Sequence, residues 1–171
     1  MEGKRFLHSL RLTNFLSYGP EGVEIDLQPL NVLIGPNTSG KSNLIEAIGL
    51  LRAAPSKDGL ATAIRLGGGI SEWLWKGSPD THDLKIETVV EYPQGQMPVR
   101  YRLTLTRSGA KFEVMDEALE DVRSLRGQRT PNFYFHWEQG RPVFNVPGTT
   151  TDREVKREKL TLSPDQLHLQ R

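Results

Sequence analysis

The sequence contains no cysteine, no long apolar segment and no large excess of charge of either sign. Without cysteine the chain has neither a disulfide framework nor a thiolate metal site. Its histidines lack the spacing of metal ligands, so we predict no transition-metal site; they are His8, His82, His136 and His168. No segment approaches the roughly 20 apolar residues of a membrane helix, and the N-terminus has no signal-peptide core. We therefore expect a cytoplasmic protein with no membrane segment.

The charge and size of the chain set further bounds. Its 22 lysine and arginine residues against 21 aspartate and glutamate residues give a net charge of +1. Such a protein has no overall field that draws it to DNA or anionic lipid, which leaves only local patches open. With 171 residues, 36% of them hydrophobic and 25% charged, the sequence is typical of a single globular domain.

The first third of the chain predicts strands and then a helix. Residues 5–14 and 23–27 alternate apolar and polar side chains, and residues 32–34 are continuously apolar, which predicts a strand buried on both faces. From Lys41 the apolar spacing becomes helical, and Pro55 ends the predicted helix. Its predicted buried face consists of Leu44, Ile45, Ile48 and Leu51.

The rest of the chain predicts an irregular connection followed by antiparallel strands. Residues 56–83 are rich in glycine and read as irregular, with Trp73 and Trp75 as packing residues. Alternating patterns predict about five strands, at residues 84–92, 99–106, 111–115, 132–137 and 141–145. Ser108-Gly109 and Gln139-Gly140 are predicted hairpin turns. Residues 116–130 suggest a short helix and loop, and residues 149–160 a charged, solvated stretch.

One segment carries a recognisable chemistry. Residues 35–42 match the phosphate-binding pattern G-x-x-x-x-G-K-[ST] at every fixed position, between a predicted strand and a predicted helix. Backbone N–H groups of such a loop converge on a phosphate, since glycine permits the tight curl and the close approach. The predicted nucleotide-binding residues are Gly35, Pro36, Asn37, Thr38, Ser39, Gly40, Lys41 and Ser42.

Two side chains of this loop have distinct predicted roles. Lys41 can reach the β- and γ-phosphate oxygens as a point charge. Ser42 offers a hydroxyl to Mg²⁺, and the positive end of the helix dipole faces the bound anion. We therefore predict ATP and Mg²⁺ as ligands, with Ser42 as a magnesium ligand.

These motifs resemble a known group of ATPases. The stretch LRLTNFLSYG at residues 10–19, followed by NVLIGPNTSGKSNLIEAI at residues 31–48, resembles the N-terminal segment of RecF, structural-maintenance-of-chromosomes (SMC) and related ABC-type AAA-family ATPase heads. The likeness includes Asn43, directly after the loop serine, which joins the predicted nucleotide-binding set. Thr38 departs from it, because many members have glycine there.

The resemblance implies further site residues. The loop before the second strand would lie near the adenine, which makes Arg11, Asn14 and Ser17 candidates; otherwise they are ordinary polar residues at a strand end. Such heads also hold Mg²⁺ and the attacking water with a glutamine between their two lobes. Gln166 or Gln170 would fill this role, and we favour Gln170 because it follows the alternating Leu167 and Leu169.

Several motifs of these heads are missing from the sequence. Hydrolysis in the group needs an apolar strand that ends in Asp-Glu, whereas Asp116-Glu117 and Glu120-Asp121 follow polar residues. Residues 162–165, Leu-Ser-Pro-Asp, lack the glycine of the Leu-Ser-x-Gly signature. We therefore assign no catalytic residue and expect the chain to be inactive in hydrolysis by itself.

The resemblance implies an α/β fold and a partial head. We expect the N-terminal lobe of an ABC-type P-loop NTPase head, in which a buried loop strand and a P-loop helix join an antiparallel β-sheet lobe. Residues 1–171 would form one domain, with a nucleotide-binding core at 1–55, a connection at 56–83 and a β lobe at 84–171. Its expected partners are a C-terminal half or a second head that dimerises with it, and DNA through the complete protein.

Four other interpretations remain. The chain is alternatively a non-catalytic nucleotide-binding or protein-interaction module. A P-loop kinase or GTPase is disfavoured, because the guanine motif and the βαβ alternation are absent. A nucleic-acid face would use Arg100, Arg102, Arg107, Arg123, Arg126 and Arg129, but acidic residues interleave with most of them. Alternate aromatics at Phe133, Phe135 and Trp137 are more typical of packing than of base stacking.

Overall fold

The structure, a computed structural model, describes residues 5–56, 59–93, 97–124, 129–138, 141–147 and 157–161. In this part of the chain the strands are Leu7–Thr13 (β1), Val23–Asp26 (β2), Asp83–Val90 (β3), Val99–Ser108 (β4), Lys111–Asp121 (β5), Phe133–Glu138 (β6), Arg141–Pro147 (β7) and Arg157–Thr161 (β8). The helices are Lys41–Ala53 (α1), Gly59–Leu66 (α2) and Ile70–Trp73 (α3). None of the described helices is long and apolar enough to cross a membrane.

All eight described strands belong to one antiparallel sheet. Its order is β2-β1-β3-β4-β5-β6-β7-β8, so each strand from β3 onward lies beside its neighbour in the chain. Strand β1 lies between β2 and β3, where Leu10 faces Ile25 on one side and Thr88 on the other. The N-terminal strands and the second half of the chain therefore share a single sheet, and the predicted antiparallel β-sheet is confirmed.

Alternation along the central strands separates an apolar face from a charged face. On the apolar face Leu10, Leu12, Leu84, Ile86, Leu103 and Leu105 are fully buried. On the other face the strand register aligns Glu24, Arg11, Glu87 and Arg102 as successive neighbours across four strands. We call these four residues the charge row. Alternating acidic and basic neighbours across strands favour this register, because unlike charges attract and like charges opposite each other repel.

The helices cover the apolar face. Helix α1 contributes Leu44, Ala47 and Leu50 to the core, and the shorter helices add Ile64, Ile70 and Trp73. Phe15 is fully buried, and its ring centroid lies 5.9 Å from that of Trp73. Burial of each large apolar side chain contributes about 1.5–3 kcal/mol, so this contact anchors the loop after β1 to the helical layer.

The prediction of a buried strand before the phosphate loop is wrong. Residues 31–36 have no regular structure, and Val32, Leu33 and Ile34 are 74%, 45% and 92% exposed. A strand forms only where a neighbour completes its hydrogen-bond ladder, and no strand of the described residues pairs with this segment. We call residues 32–34 the exposed apolar segment.

The predicted helix is confirmed, but its buried face is rotated from the one expected. Leu44 is buried as predicted, whereas Ile45 is 65% exposed and Ile48 is also exposed. The reason is that the apolar side chains of α1 cover more than one face of the helix. The sheet packs against the side of α1 that carries Leu44, Ala47 and Leu50, and no described element covers Ile45.

Three further expectations need correction. The connection at 56–83 contains two helices, α2 and α3, which the glycine-rich sequence obscured. Strand β5 continues to Asp121 where a short helix was expected, because residues 116–121 pair along β4. Residues 157–161 form strand β8, which pairs with β7, where the sequence had suggested no strand. The predicted turn at Ser108-Gly109 is present, with Gly109 at φ 63°, and Gln139-Gly140 lies outside the described residues.

Candidate functional site

The predicted phosphate loop, residues 35–42, leads directly into α1. Gly40 precedes the helix with φ 87° in the left-handed region, and Lys41 is the first helical residue. The carbonyl oxygen of Gly40 accepts the first helical hydrogen bond, from the N–H of Leu44 at 3.2 Å. The N–H groups of the first turn have no acceptor within the helix itself, so they and the helix dipole favour an anion at this end.

The side chain of Lys41 turns back over the loop. Its ammonium nitrogen lies 2.8 Å from the carbonyl oxygen of Gly35 and 3.2 Å from Oγ of Ser39, and it also donates to the carbonyl oxygen of Pro36. The positive charge is therefore held over the loop, at the end of the helix that favours anions.

Both pattern glycines lie close to side chains of the loop and its neighbour, and Gly40 also has a backbone conformation that favours glycine. A Cβ atom at Gly35 would lie 3.0 Å from Oγ of Ser39, and one at Gly40 would lie 2.7 Å from Oγ of Ser17. Gly40 also has the positive φ that side chains disfavour. The loop is thus closed around a space that a single added carbon would narrow, which fits a cradle formed by backbone groups.

Thr38 is a strained residue within this loop. Its φ of 72° lies in the left-handed region, which is disfavoured for a β-branched side chain. This is the position at which many of the similar ATPases have glycine, so the departure seen in the sequence carries an energetic cost of about 1–2 kcal/mol.

The loop between β1 and β2 brings one of the three candidate adenine-side residues to the phosphate loop. Nδ2 of Asn43 donates to Oγ of Ser17 at 2.8 Å. The hydroxyl of Tyr18 donates to the carbonyl oxygen of Gly40 at 3.1 Å, and burial raises the pKa of this phenol, which keeps the donor protonated. Sequence reasoning missed Tyr18, although it follows the candidate Ser17 directly.

The other two candidates have different surroundings. Asn14 supports the loop through its backbone, with its carbonyl oxygen accepting from the N–H of Trp75 at 2.9 Å. Arg11 belongs to the charge row, where its guanidinium lies 3.7 Å from Glu24 and 3.9 Å from Glu87. Its neighbours Leu10 and Leu12 point into the core beside α1, so Arg11 lies on the opposite face of the sheet from the helix.

The described residues offer few groups for a metal. Ser42 lies exposed on the first turn of α1, one residue after Lys41. No cluster of three or more histidine, aspartate or glutamate side chains that could hold an ion occurs in the part of the chain that the structure describes. Gln166 and Gln170 lie outside the described residues. A Mg²⁺ ion here would therefore be bound by Ser42 together with phosphate oxygens, which matches the usual preference of this ion for few protein ligands.

The arginines proposed as a nucleic-acid face are largely paired. Arg100 lies 3.5 Å from Glu120, Arg102 pairs with both Asp116 and Glu120, and Arg107 contacts His82. The acidic partners of Arg100 and Arg102 neutralise the positive charge that a phosphate backbone would need, whereas His82 supplies no negative charge to Arg107. Of the aromatic series, Phe135 packs against Phe144 with ring centroids 5.1 Å apart.

An apolar groove of about 600 Å³ lies between the end of α1 and the sheet. Its apolar lining includes Phe6, Ile48, Leu51 and Leu119, and Glu117 lies at the same groove. The hydroxyl of Tyr101 donates to Oε1 of Glu117 at 2.6 Å. Burial raises the pKa of the Glu117 carboxyl, the hydrogen bond from Tyr101 opposes this, and the charge of Asp116 adds to it.

The fold and the loop together define a class. A phosphate loop that leads into a helix, packed on an antiparallel sheet, is the arrangement of an ABC-type P-loop NTPase head. Residues 30–164 match the family described as "AAA domain, putative AbiEii toxin, Type IV TA system", and the chain belongs to this family.

Relatives and a solved structure agree with this class. The chain is 39% identical over 89 residues to the DNA replication and repair protein RecF of Moorella thermoacetica, covering 52% of this chain and 24% of the relative. It is 34% identical over 110 residues to RecF of Oenococcus oeni, covering 64% of this chain and 26% of the relative. The chain thus spans about a quarter of the length of these curated relatives.

A solved structure supports the fold independently. It comes from work titled "Structural biochemistry of ATP-driven dimerization and DNA stimulated activation of SMC ATPases", and superposes with a TM-score of 0.53 at 25% identity. The match covers 71% of this chain and 73% of the other. The expected resemblance to RecF-like and SMC-like ATPase heads is confirmed.

Proposed function

We propose that residues 35–43 bind MgATP. The observation that carries the proposal is the Lys41 ammonium held over a glycine-flanked loop at the N-terminus of a 13-residue helix. On binding, Lys41 would exchange its loop oxygens for phosphate oxygens, and backbone N–H groups would surround the phosphate. Ser42 would hold the Mg²⁺ ion, which neutralises phosphate charge.

The base would lie on the side of the loop between β1 and β2. The contact between Ser17 and Asn43 supports this placement, because it holds the loop between β1 and β2 against the residue directly after the phosphate loop, without requiring Ser17 itself to touch the base. Asn14 lies in the same loop and remains a candidate, whereas the ion pairs of Arg11 with Glu24 and Glu87 argue against its direct contact with the nucleotide.

Calorimetric titration of the chain with ATP tests the proposal. We expect saturable binding that is tighter with Mg²⁺ than with EDTA, and a Ser42→Ala variant that loses most of this Mg²⁺ dependence. A Ser108→Ala variant, which removes a hydroxyl at the end of β4, should behave as the unmodified chain. Absence of ATP binding by the unmodified chain would reject the proposal.

We further propose that this chain is the N-terminal lobe of a longer, cytoplasmic ATPase that works in DNA repair, recombination, chromosome maintenance or antiphage defence. The exposed apolar segment and the neighbouring Ile45 and Ile48 support this, since a second lobe would cover them and complete the head. In that protein, ATP would hold two heads together and hydrolysis would release them. The name of the RecF relatives points to DNA repair.

A non-catalytic nucleotide-binding module is the second candidate. It is favoured by the absence of an acidic metal cluster from the described residues and of an apolar strand ending in Asp-Glu from the sequence. An assay of phosphate release from ATP separates the ATPase lobe from the module. We expect no release above background from this chain alone. If the chain is an ATPase lobe, addition of a C-terminal lobe that carries the Asp-Glu strand should give ATP hydrolysis. A chain that stays inactive with such a lobe is a module.

A further inference from the structure

Two side chains of the loop after β1 contact the phosphate loop from one side. We call residues 14–19 the brace loop. The Tyr18 hydroxyl donates to the carbonyl oxygen of Gly40, and Ser17 accepts from the side chain of Asn43. The two contacts flank Lys41 and Ser42, one before them in the chain and one after them.

The contact at Gly40 controls the direction of a phosphate-facing group. The Gly40 carbonyl oxygen accepts from both the Tyr18 hydroxyl at 3.1 Å and the Leu44 N–H at 3.2 Å. Because the peptide unit is planar, a carbonyl fixed by two donors also fixes the N–H of the following residue, Lys41, which points the opposite way. Tyr18 therefore sets the orientation of the first N–H at the positive end of the helix.

The brace loop is itself rigidly attached to the core. Its Phe15 is fully buried, and the N–H of Leu16 donates to the carbonyl oxygen of Trp73 at 2.8 Å. Phe15 and Tyr18 exchange two backbone hydrogen bonds, of 2.9 and 2.8 Å. Leu16 has a positive φ of 49°, which its side chain disfavours, so packing imposes this conformation, whereas the φ of 53° at Asn14 is one that asparagine tolerates. A loop held in this way can act as a fixed support.

We propose that Tyr18 and Ser17 are positioning residues of the phosphate loop: Tyr18 orients the Gly40–Lys41 peptide and Ser17 anchors the first turn of α1 through Asn43. Their contribution is to phosphate binding and not to recognition of the base. This inference rests on the proposed binding of MgATP by residues 35–43.

Paired titrations with MgATP and with magnesium tripolyphosphate test the proposal in the 171-residue chain. Tyr18→Phe removes only the hydroxyl and should weaken both ligands equally, by about 3- to 10-fold, the effect of one hydrogen bond. Tyr134→Phe is the matched control, because it removes a hydroxyl that donates to Asp121 on the far strands of the sheet. It should leave both affinities unchanged.

The two variants also separate positioning from a general loss of stability. Tyr18→Phe should melt no more than a few degrees below the unmodified chain, and so should Tyr134→Phe. A double-mutant cycle over Ser17→Ala and Asn43→Ala gives a second measurement, in which the double variant should bind no more weakly than the weaker single variant.

Other outcomes would overturn the inference. If Tyr18→Phe and Ser17→Ala weaken MgATP but leave tripolyphosphate unchanged, the brace loop recognises the base. If both ligands bind the variants as tightly as they bind the unmodified chain, the brace loop has no positioning role, although the proposed nucleotide site at residues 35–43 is still supported. Failure of the unmodified chain to bind either ligand would instead reject the proposed function, and the inference with it.

Discussion

The ammonium nitrogen of Lys41 lies 2.8 Å from the carbonyl oxygen of Gly35, at the opposite end of the phosphate loop. A cation in this position joins the two ends of the loop and holds a charge where the helix dipole also favours an anion. Any phosphate that enters must replace the carbonyl oxygens as acceptors for Lys41. The residue therefore has two roles, one in closing the loop and one in binding the ligand.

Replacement of Lys41 should separate binding from folding. We expect Lys41→Ala to weaken MgATP binding by about 100-fold, because it removes charge-assisted hydrogen bonds to phosphate oxygens. The melting temperature should change little, since the side chain contacts only the loop. Isothermal titration and thermal melting measure the two effects, with Lys111→Ala as a control for the loss of one exposed lysine. Unchanged affinity in Lys41→Ala would contradict the assignment of residues 35–42.

Thr38 offers a test of strain within the loop. Thr38→Gly should stabilise the chain by about 0.5–1 kcal/mol. The strain energy that is removed from the left-handed conformation should exceed the free-energy cost of the greater backbone entropy that glycine gives the unfolded chain. Urea unfolding measures this difference. Gly109→Thr is the reverse control, since Gly109 has φ 63° with no atom near its Cβ position, and it should destabilise by about 1 kcal/mol. A less stable Thr38→Gly variant would show that the threonine side chain supports the loop.

The partly buried carboxyl of Glu117 makes stability depend on pH. Because burial raises its pKa in the folded protein, folding favours the protonated form. This contribution is complete below the ordinary glutamate pKa of about 4.3 and is lost as the pH rises through the folded-state pKa. Glu117→Gln keeps an oxygen acceptor for Tyr101 without the charge. We therefore expect its melting temperature to exceed that of the unmodified chain at pH 8 and to match it near pH 4.

Glu120→Gln is the comparison for this experiment. Glu120 forms ion pairs with Arg100 and Arg102, so removal of its charge breaks favourable pairs and should lower stability at pH 8. If Glu117→Gln also melts lower at pH 8, its carboxylate is stabilised in the fold and the burial argument fails.

The exposed apolar segment should govern self-association. Ile34→Lys should reduce the oligomer fraction in sedimentation velocity, because it places a charge on the most exposed residue of the segment. The melting temperature should stay unchanged, since Ile34 is 92% exposed and loses no packing. Leu66→Lys, at an exposed leucine outside the segment, is the control for the effect of an added positive charge on self-association. Equal oligomer fractions in Ile34→Lys and the unmodified chain would show that this segment is not the contact.

The phosphate loop was predictable because its chemistry is encoded in eight consecutive residues. The strands with clear alternation were predictable for a similar reason, since β3 and β4 display their apolar face directly in the sequence. The part of β5 around Glu117 was not, because a partly buried carboxyl that accepts from Tyr101 breaks the alternation that would reveal the strand.

Features that depend on distant contacts stayed hidden in the sequence. The role of Tyr18 depends on a positive φ angle at Leu16, which no local preference of leucine predicts, beside the fully buried Phe15. Which side of α1 is buried depends on the elements that pack against it. Because the apolar residues of α1 cover more than one face, the sequence alone does not tell that Leu44 is buried and Ile45 exposed.

The position of β1 between β2 and β3 has a consequence for synthesis of the protein. On the ribosome, β1 and β2 emerge first and can pair as a hairpin, but the other edge of β1 stays open until β3 has been made, since Leu10 pairs with Thr88. The phosphate loop and α1 are translated in this interval, before the sheet beneath them is complete. The nascent chain therefore carries its nucleotide-binding residues through a period without a finished core, and we expect this long-range pairing to form more slowly than the hairpins that follow.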